Sequence, residues 1–111
     1  MNKILKPLTL LLCILDSSFA NAGDLLNSAT ITSITNVGAN QDRFVVYFTG
    51  GTGVCSDNKF IKFPMDAAVS KEAHARAFSL AMTALTTGMK VRFHNYENNS
   101  CDRASYIQIS K

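Results

Sequence analysis

The chain has 111 residues, of which 47% are hydrophobic and 17% charged, with a formal net charge of +3. That length allows one domain with a modest core. Acid and base are nearly balanced and no basic run occurs, so bulk electrostatic attraction to nucleic acid is excluded as an organising feature.

Residues 1–22 have the three parts of a secretory signal peptide. Lys3 and Lys6 supply the charged start, residues 8–15 the apolar centre, and Ala20-Asn21-Ala22 a small-x-small cleavage site before Gly23. The apolar run is shorter than the ~20 residues needed to cross a bilayer, so no membrane anchor is expected. Cys13 follows Leu12, where lipid attachment needs a small residue, so lipidation is not expected either. The expected product is a single domain, 23–111, that is periplasmic or secreted. Without Lys3, Lys6 and Asp16 its net charge is +2.

Removing the leader leaves Cys55 and Cys101, an even pair in an oxidising compartment, and predicts a disulfide between them. A zinc site using His74 or His94 competes with this reading, but the close-spaced ligand pairs of zinc sites are absent.

In chain order, residues 24–28 read as a loose lead-in. Residues 29–37 are β-branched and alternate, which predicts a strand. A turn at 38–42 leads to a second strand, 43–49, whose nearly continuous apolar run predicts burial on both faces or a bend. Gly50, Gly51 and Gly53 then read as a hairpin turn. They lack the Lys-Ser/Thr of a phosphate-binding loop. A third strand, 58–63, ends at Pro64.

Ser70 is a good N-cap and Gly88 a good C-terminal stop, which predicts a helix of about 17 residues between them. Glu72, Arg76, Ser79, Thr83 and Thr86 form its polar stripe. Phe78, Met82 and Leu85 share a face with Ala81 and are expected to face the core. Ala73, Ala77, Leu80 and Ala84 form a second apolar flank, wider than one small core needs, that would suit a neighbouring subunit. Residues 89–96 alternate, with Met89, Val91 and Phe93 inward and Lys90, Arg92, His94 and Tyr96 outward. A turn at 97–100 precedes a last strand, 104–110, with Ile107 and Ile109 inward. Val45 and Ile31 complete the expected core.

The fold class is therefore mainly β with one central helix, β-β-β-α-β-β. This is the order of an OB-fold-like small barrel, with a small α+β sheet carrying a helix on one face as the alternative.

Thr86–Tyr96, TTGMKVRFHNY, and Ser28 ten residues before Gly38 resemble the receptor-binding B subunits of AB5 toxins, the subtilase-cytotoxin B type in particular. That resemblance implies a secreted glycan-binding module that assembles as a cyclic homo-oligomer and serves a secreted catalytic subunit. It places Ser28 in the glycan site, with Tyr96 or Asn95 as the partner on the strand after the helix. The residues themselves add a solvent-facing stripe, Lys90, Arg92, His94 and Tyr96, able to pair a carboxylated sugar with a stacking ring. The same stripe fits an OB-fold binding single-stranded nucleic acid, which export and the near-neutral charge oppose. A monomeric envelope protein or inhibitor without a glycan ligand is the third reading. No nucleophile–base spacing is present, so an enzyme is not expected, and no cofactor is implied.

Overall fold

The computed structural model describes residues 23–38 and 41–111. The expected signal peptide, residues 1–22, lies outside the described residues. Five strands form one antiparallel sheet: β1 (Gly23–Val37), β2 (Arg43–Thr52), β3 (Phe60–Pro64), β4 (Lys90–Asn95) and β5 (Tyr106–Ser110). One helix, α1 (Lys71–Thr87), enters between β3 and β4. The spatial order is β3-β2-β1-β4-β5, so the first strand lies at the centre.

The chain is thus mainly β with a single α-helix in the described residues. The two ends of the sheet approach each other. Lys62 N–H on β3 donates to Cys101 O, and Ala104 N–H donates to Lys62 O, both at 3.0 Å. Two bonds make a partial seam rather than a full strand pairing, so the barrel is incompletely closed. The Cys55–Cys101 disulfide, with Cα atoms 5.9 Å apart, fastens the same seam.

β1 reaches both neighbours because it is long and irregular. It pairs β2 from Asn27 to Val37 and β4 from Gly23 to Thr30. Residues 24–28 are therefore strand and not a lead-in, and Leu25 and Leu26 are fully buried. Their adjacency requires bulges, since a regular strand sends neighbours to opposite faces. The register against β4 shifts between Asp24 and Leu26 and again between Leu26 and Ala29. Ser28 takes a φ of 57° in the second shift.

The glycines serve that bend. Gly50 and Gly51 lie within β2 and not in a hairpin turn, because the strand runs on to Thr52 beside the β1 bulge. A Cβ on Gly51 would lie 2.8 Å from Asn27 O and 2.9 Å from Ala29 Cβ, and both φ angles are positive.

The core is filled from the sheet by Phe44, Phe48, Phe63 and Phe93, all essentially inaccessible. Phe44 stacks on Phe63 at 4.7 Å and Phe63 meets Phe93 edge-on at 5.2 Å. Val91, Ile107 and Ile31 join them, whereas Val45 is buried outside this cluster. β2 is therefore covered on both faces over part of its length, in keeping with its apolar run.

The helix ends fall at the expected residues. Ser70 Oγ accepts from Ala73 N–H at 3.0 Å, and Gly88 takes a φ of 74° while its N–H donates to Ala84 O. The phase differs. Ala77, Ala81 and Ala84 are buried, Phe78 and Leu85 are half-buried, and Met82 is 40% exposed. Four phenylalanines already occupy the space above the sheet, so the helix comes close only by presenting small side chains. The flank expected to be free for another subunit is correspondingly split. Ala77 and Ala84 belong to the chain's own core, and Leu80 is 38% exposed.

Candidate functional site

The outer face of β1, β4 and β5 gathers three of the five candidate ligand residues. Cross-strand pairing sets Asp24, His94 and Tyr106 in one row and Arg92 beside Gln108 in the next. Lys90 and Thr30 form a third row, joined by Lys90 Nζ donating to Thr30 Oγ1 at 2.9 Å. The bulges in β1 create this face, because the register shift after Asp24 turns its carboxylate outward opposite His94 while Leu26 faces inward opposite Phe93.

Asp24 is the hub. Its Oδ1 accepts from Arg92 Nη2 at 2.6 Å and Nε at 2.9 Å, and lies 3.4 Å from His94 Nδ1. Asn27 Nδ2 donates to Oδ2 at 3.5 Å. The Arg92 bonds, partly opposed by desolvation and aided by His94 and Asn27, hold the Asp24 carboxyl below its ordinary pKa. Asp24 in turn pushes the Arg92 guanidinium further up.

Around this pair stand three rings. His94 meets Tyr96 edge-on at 4.7 Å and Tyr106 at 5.6 Å, and the two tyrosines stand perpendicular at 6.3 Å. Arg92 lies over Tyr106, 5.5 Å from the ring centre, and Nη1 donates to Gln108 Oε1 at 3.4 Å. Tyr96 is 67% exposed, so the cluster ends in an aromatic face open to solvent.

Arg92, His94 and Tyr96 are therefore brought together, with Asp24, Tyr106 and Gln108 added. Ser28 is exposed in the bulge, where Asn27 and Ser28 together oppose Arg92, and its hydroxyl makes no hydrogen bond among the described residues. It borders the Arg92 end and not the Tyr96 end.

Asn95 is the correction. It is 1% exposed, and its side chain is fully engaged in the β4–β5 loop. Nδ2 donates to Asn98 Oδ1 and Ser100 O, and Oδ1 accepts from Glu97 N–H and Asn98 N–H. With both donors and both lone pairs used, it has nothing left for a ligand.

Asp24 escaped the sequence reading because its segment read as unstructured. The consecutive Leu25-Leu26 was the available signal, since two buried leucines in a row mark a strand with a bulge.

These features define a class: a small, disulfide-bonded, mainly-β domain whose outer face carries an aromatic and charged cluster. The chain belongs to a family of unknown function, DUF5992, whose family model matches residues 5–111. No curated protein and no solved structure matches it.

Proposed function

We propose that the chain is an exported, non-catalytic binding module whose β1–β4–β5 outer face takes a glycan. The observation that carries this reading is the exposed Tyr96 ring, set edge-on to His94 and Tyr106, with His94 beside Asp24 and Tyr106 beneath Arg92. A pyranose presents an apolar C–H face for an aromatic ring and hydroxyls for the polar groups beside it, the combination found in small-ligand sites generally. Resemblance to toxin B subunits points the same way, as do the signal-like leader and the disulfide.

The charge pattern favours a neutral sugar over a carboxylated one. Two of the Arg92 donors are already directed at Asp24. A sugar carboxylate would have to displace that partner, whereas neutral hydroxyls donate to Asp24 and leave the pair intact. The same pairing weakens the case for single-stranded nucleic acid, because the guanidinium offers no free positive charge to a phosphate.

Assembly in a ring and service to a secreted catalytic subunit are the wider form of this reading. On α1, Leu80 and Met82 are the large apolar side chains left for a neighbour.

A glycan array probed with the exported, disulfide-bonded protein tests the proposal. Binding to neutral hexose-terminated glycans, lost about tenfold or more in Tyr96→Ala with the fold intact, is the expected result; tenfold is about 1.4 kcal/mol. Preference for sialylated glycans would reverse the assignment of charge. No binding to any glycan would end the reading.

A further inference from the structure

At the other end of β1, between the first turns of α1 and the start of β2, lies a pocket of about 290 Å³. This lies just below the usual range for ligand pockets, about 300–1,000 Å³, and suits a small ligand. Its walls include Asn36, Asp42, Phe44, His74, Phe78 and Ser79. It shares no residue with the Asp24 cluster and is independent of the glycan reading.

The base of the pocket is aromatic and fixed. Phe44 is held by its stack on Phe63, meets Phe78 edge-on at 5.1 Å and lies 5.0 Å from the His74 ring. His74 Nε2 lies 2.8 Å from Phe63 O. A carbonyl oxygen only accepts, so Nε2 carries the hydrogen.

Asp42 is anchored through its main chain, its carbonyl oxygen accepting from Met65 N–H at 2.8 Å. Its carboxylate makes no hydrogen bond and no ion pair among the described residues. Neighbouring Arg43 directs Nη1 to Gln41 Oε1 instead. The pocket thus combines a carboxylate with no ion-pair partner among the described residues, the polar side chains of Ser79 and Asn36, and two phenylalanine rings. The faces of those rings are themselves negative in their quadrupole.

We propose that this pocket binds a small primary ammonium ligand bearing an apolar group. The ammonium pairs with Asp42, and the apolar group lies against Phe44 and Phe78. A carboxylate attracts an ammonium and repels an anion, and ring faces reinforce that preference. A neutral apolar molecule would gain the ring contacts alone. The hydrogens of an ammonium can be accepted by the Asp42 carboxylate and by the side-chain oxygens of Ser79 and Asn36.

The test is an NMR titration of the exported protein with 2-phenylethylamine, 2-phenylethanol and phenylacetate, following backbone amides. The amine is expected to shift Phe44, His74 and Phe78 at millimolar concentration. The alcohol is expected to bind about tenfold or more weakly, and the anion weaker still. Asp42→Asn should reduce amine affinity to that of the alcohol, and its amide spectrum reports that the fold is kept. Phe78→Ala should weaken amine and alcohol alike. No shift with the amine, equal affinity for amine and alcohol, or an amine affinity unchanged by Asp42→Asn would overturn the proposal.

Discussion

Asp24 organises the outer face through one oxygen, which takes two Arg92 donors and neighbours His94 Nδ1. Its folded pKa is depressed below the unfolded value. The pair therefore stabilises the fold above the unfolded carboxyl range, near 4, and that stabilisation is lost as pH falls through the folded value. Both side chains are more than one-third exposed, so solvent and salt screen the pair and the effect is small. Asp24→Asn is expected to lower the melting temperature slightly at neutral pH, with the two curves converging in acid and in high salt. A gap that persists unchanged in acid would place the effect elsewhere. Asn95 acts differently, since it is buried and holds the loop that follows Tyr96. Asn95→Ala should cost about 1–3 kcal/mol by urea unfolding, because Glu97 and Asn98 N–H lose their acceptor. Hydrogen exchange at those two amides should rise with it. Alternation along β4 already sets Asn95 with Val91 and Phe93 on the inner face, so its burial was legible in the sequence. The family register alone favoured it as a ligand.

Among the elements, α1 separates what sequence shows from what it hides. Its ends are local chemistry, a hydroxyl cap at Ser70 and a left-handed glycine at Gly88, and both were readable. Its phase depends on what the sheet has already placed in the core. Periodicity points Phe78, Met82 and Leu85 inward with Ala81, yet Ala77 and Ala84 are buried beside Ala81 and Met82 is exposed, because Phe44, Phe48, Phe63 and Phe93 leave only shallow space. Ala81→Leu should then overpack the helix–sheet contact and destabilise by about 1–3 kcal/mol. Met82→Glu should stay within about 0.5 kcal/mol, as a surface change does. Equal effects at the two positions would mean that the helix is rotated from its observed phase. The register of the β1 bulges was not legible for a related reason, although Leu25-Leu26 hinted at a bulge. Where the shifts fall depends on pairing with two neighbours at once, a long-range demand that the local pattern does not fix.

At the scale of the molecule, the order of elements was readable and the closure of the sheet was not, because closure rests on two backbone bonds and one covalent bond at the seam. Counting the thiols outside the expected leader paired Cys55 with Cys101 without reference to geometry. The structure adds what the pairing does. Cys55 N–H donates to Leu25 O at 2.9 Å, tying it to the start of β1, while Cys101 O accepts from Lys62 N–H on β3. The disulfide thus joins the β2–β3 connection to the β4–β5 loop across the seam, closing a loop of 46 positions. In the chain-entropy model a loop of that length contributes about 4 kcal/mol, acting on the unfolded chain. A second contribution is native and local, since the Lys62 and Ala104 amides are paired across the seam and depend on its edges staying together. Replacing both cysteines by serine should therefore lower stability by about 2–5 kcal/mol. It should also raise hydrogen exchange at Lys62 and Ala104 more than at Val46 or Phe93 in the core. Uniform acceleration at all four amides would assign the whole effect to the unfolded chain. Local acceleration at the seam would show that the bond also holds the partial barrel shut.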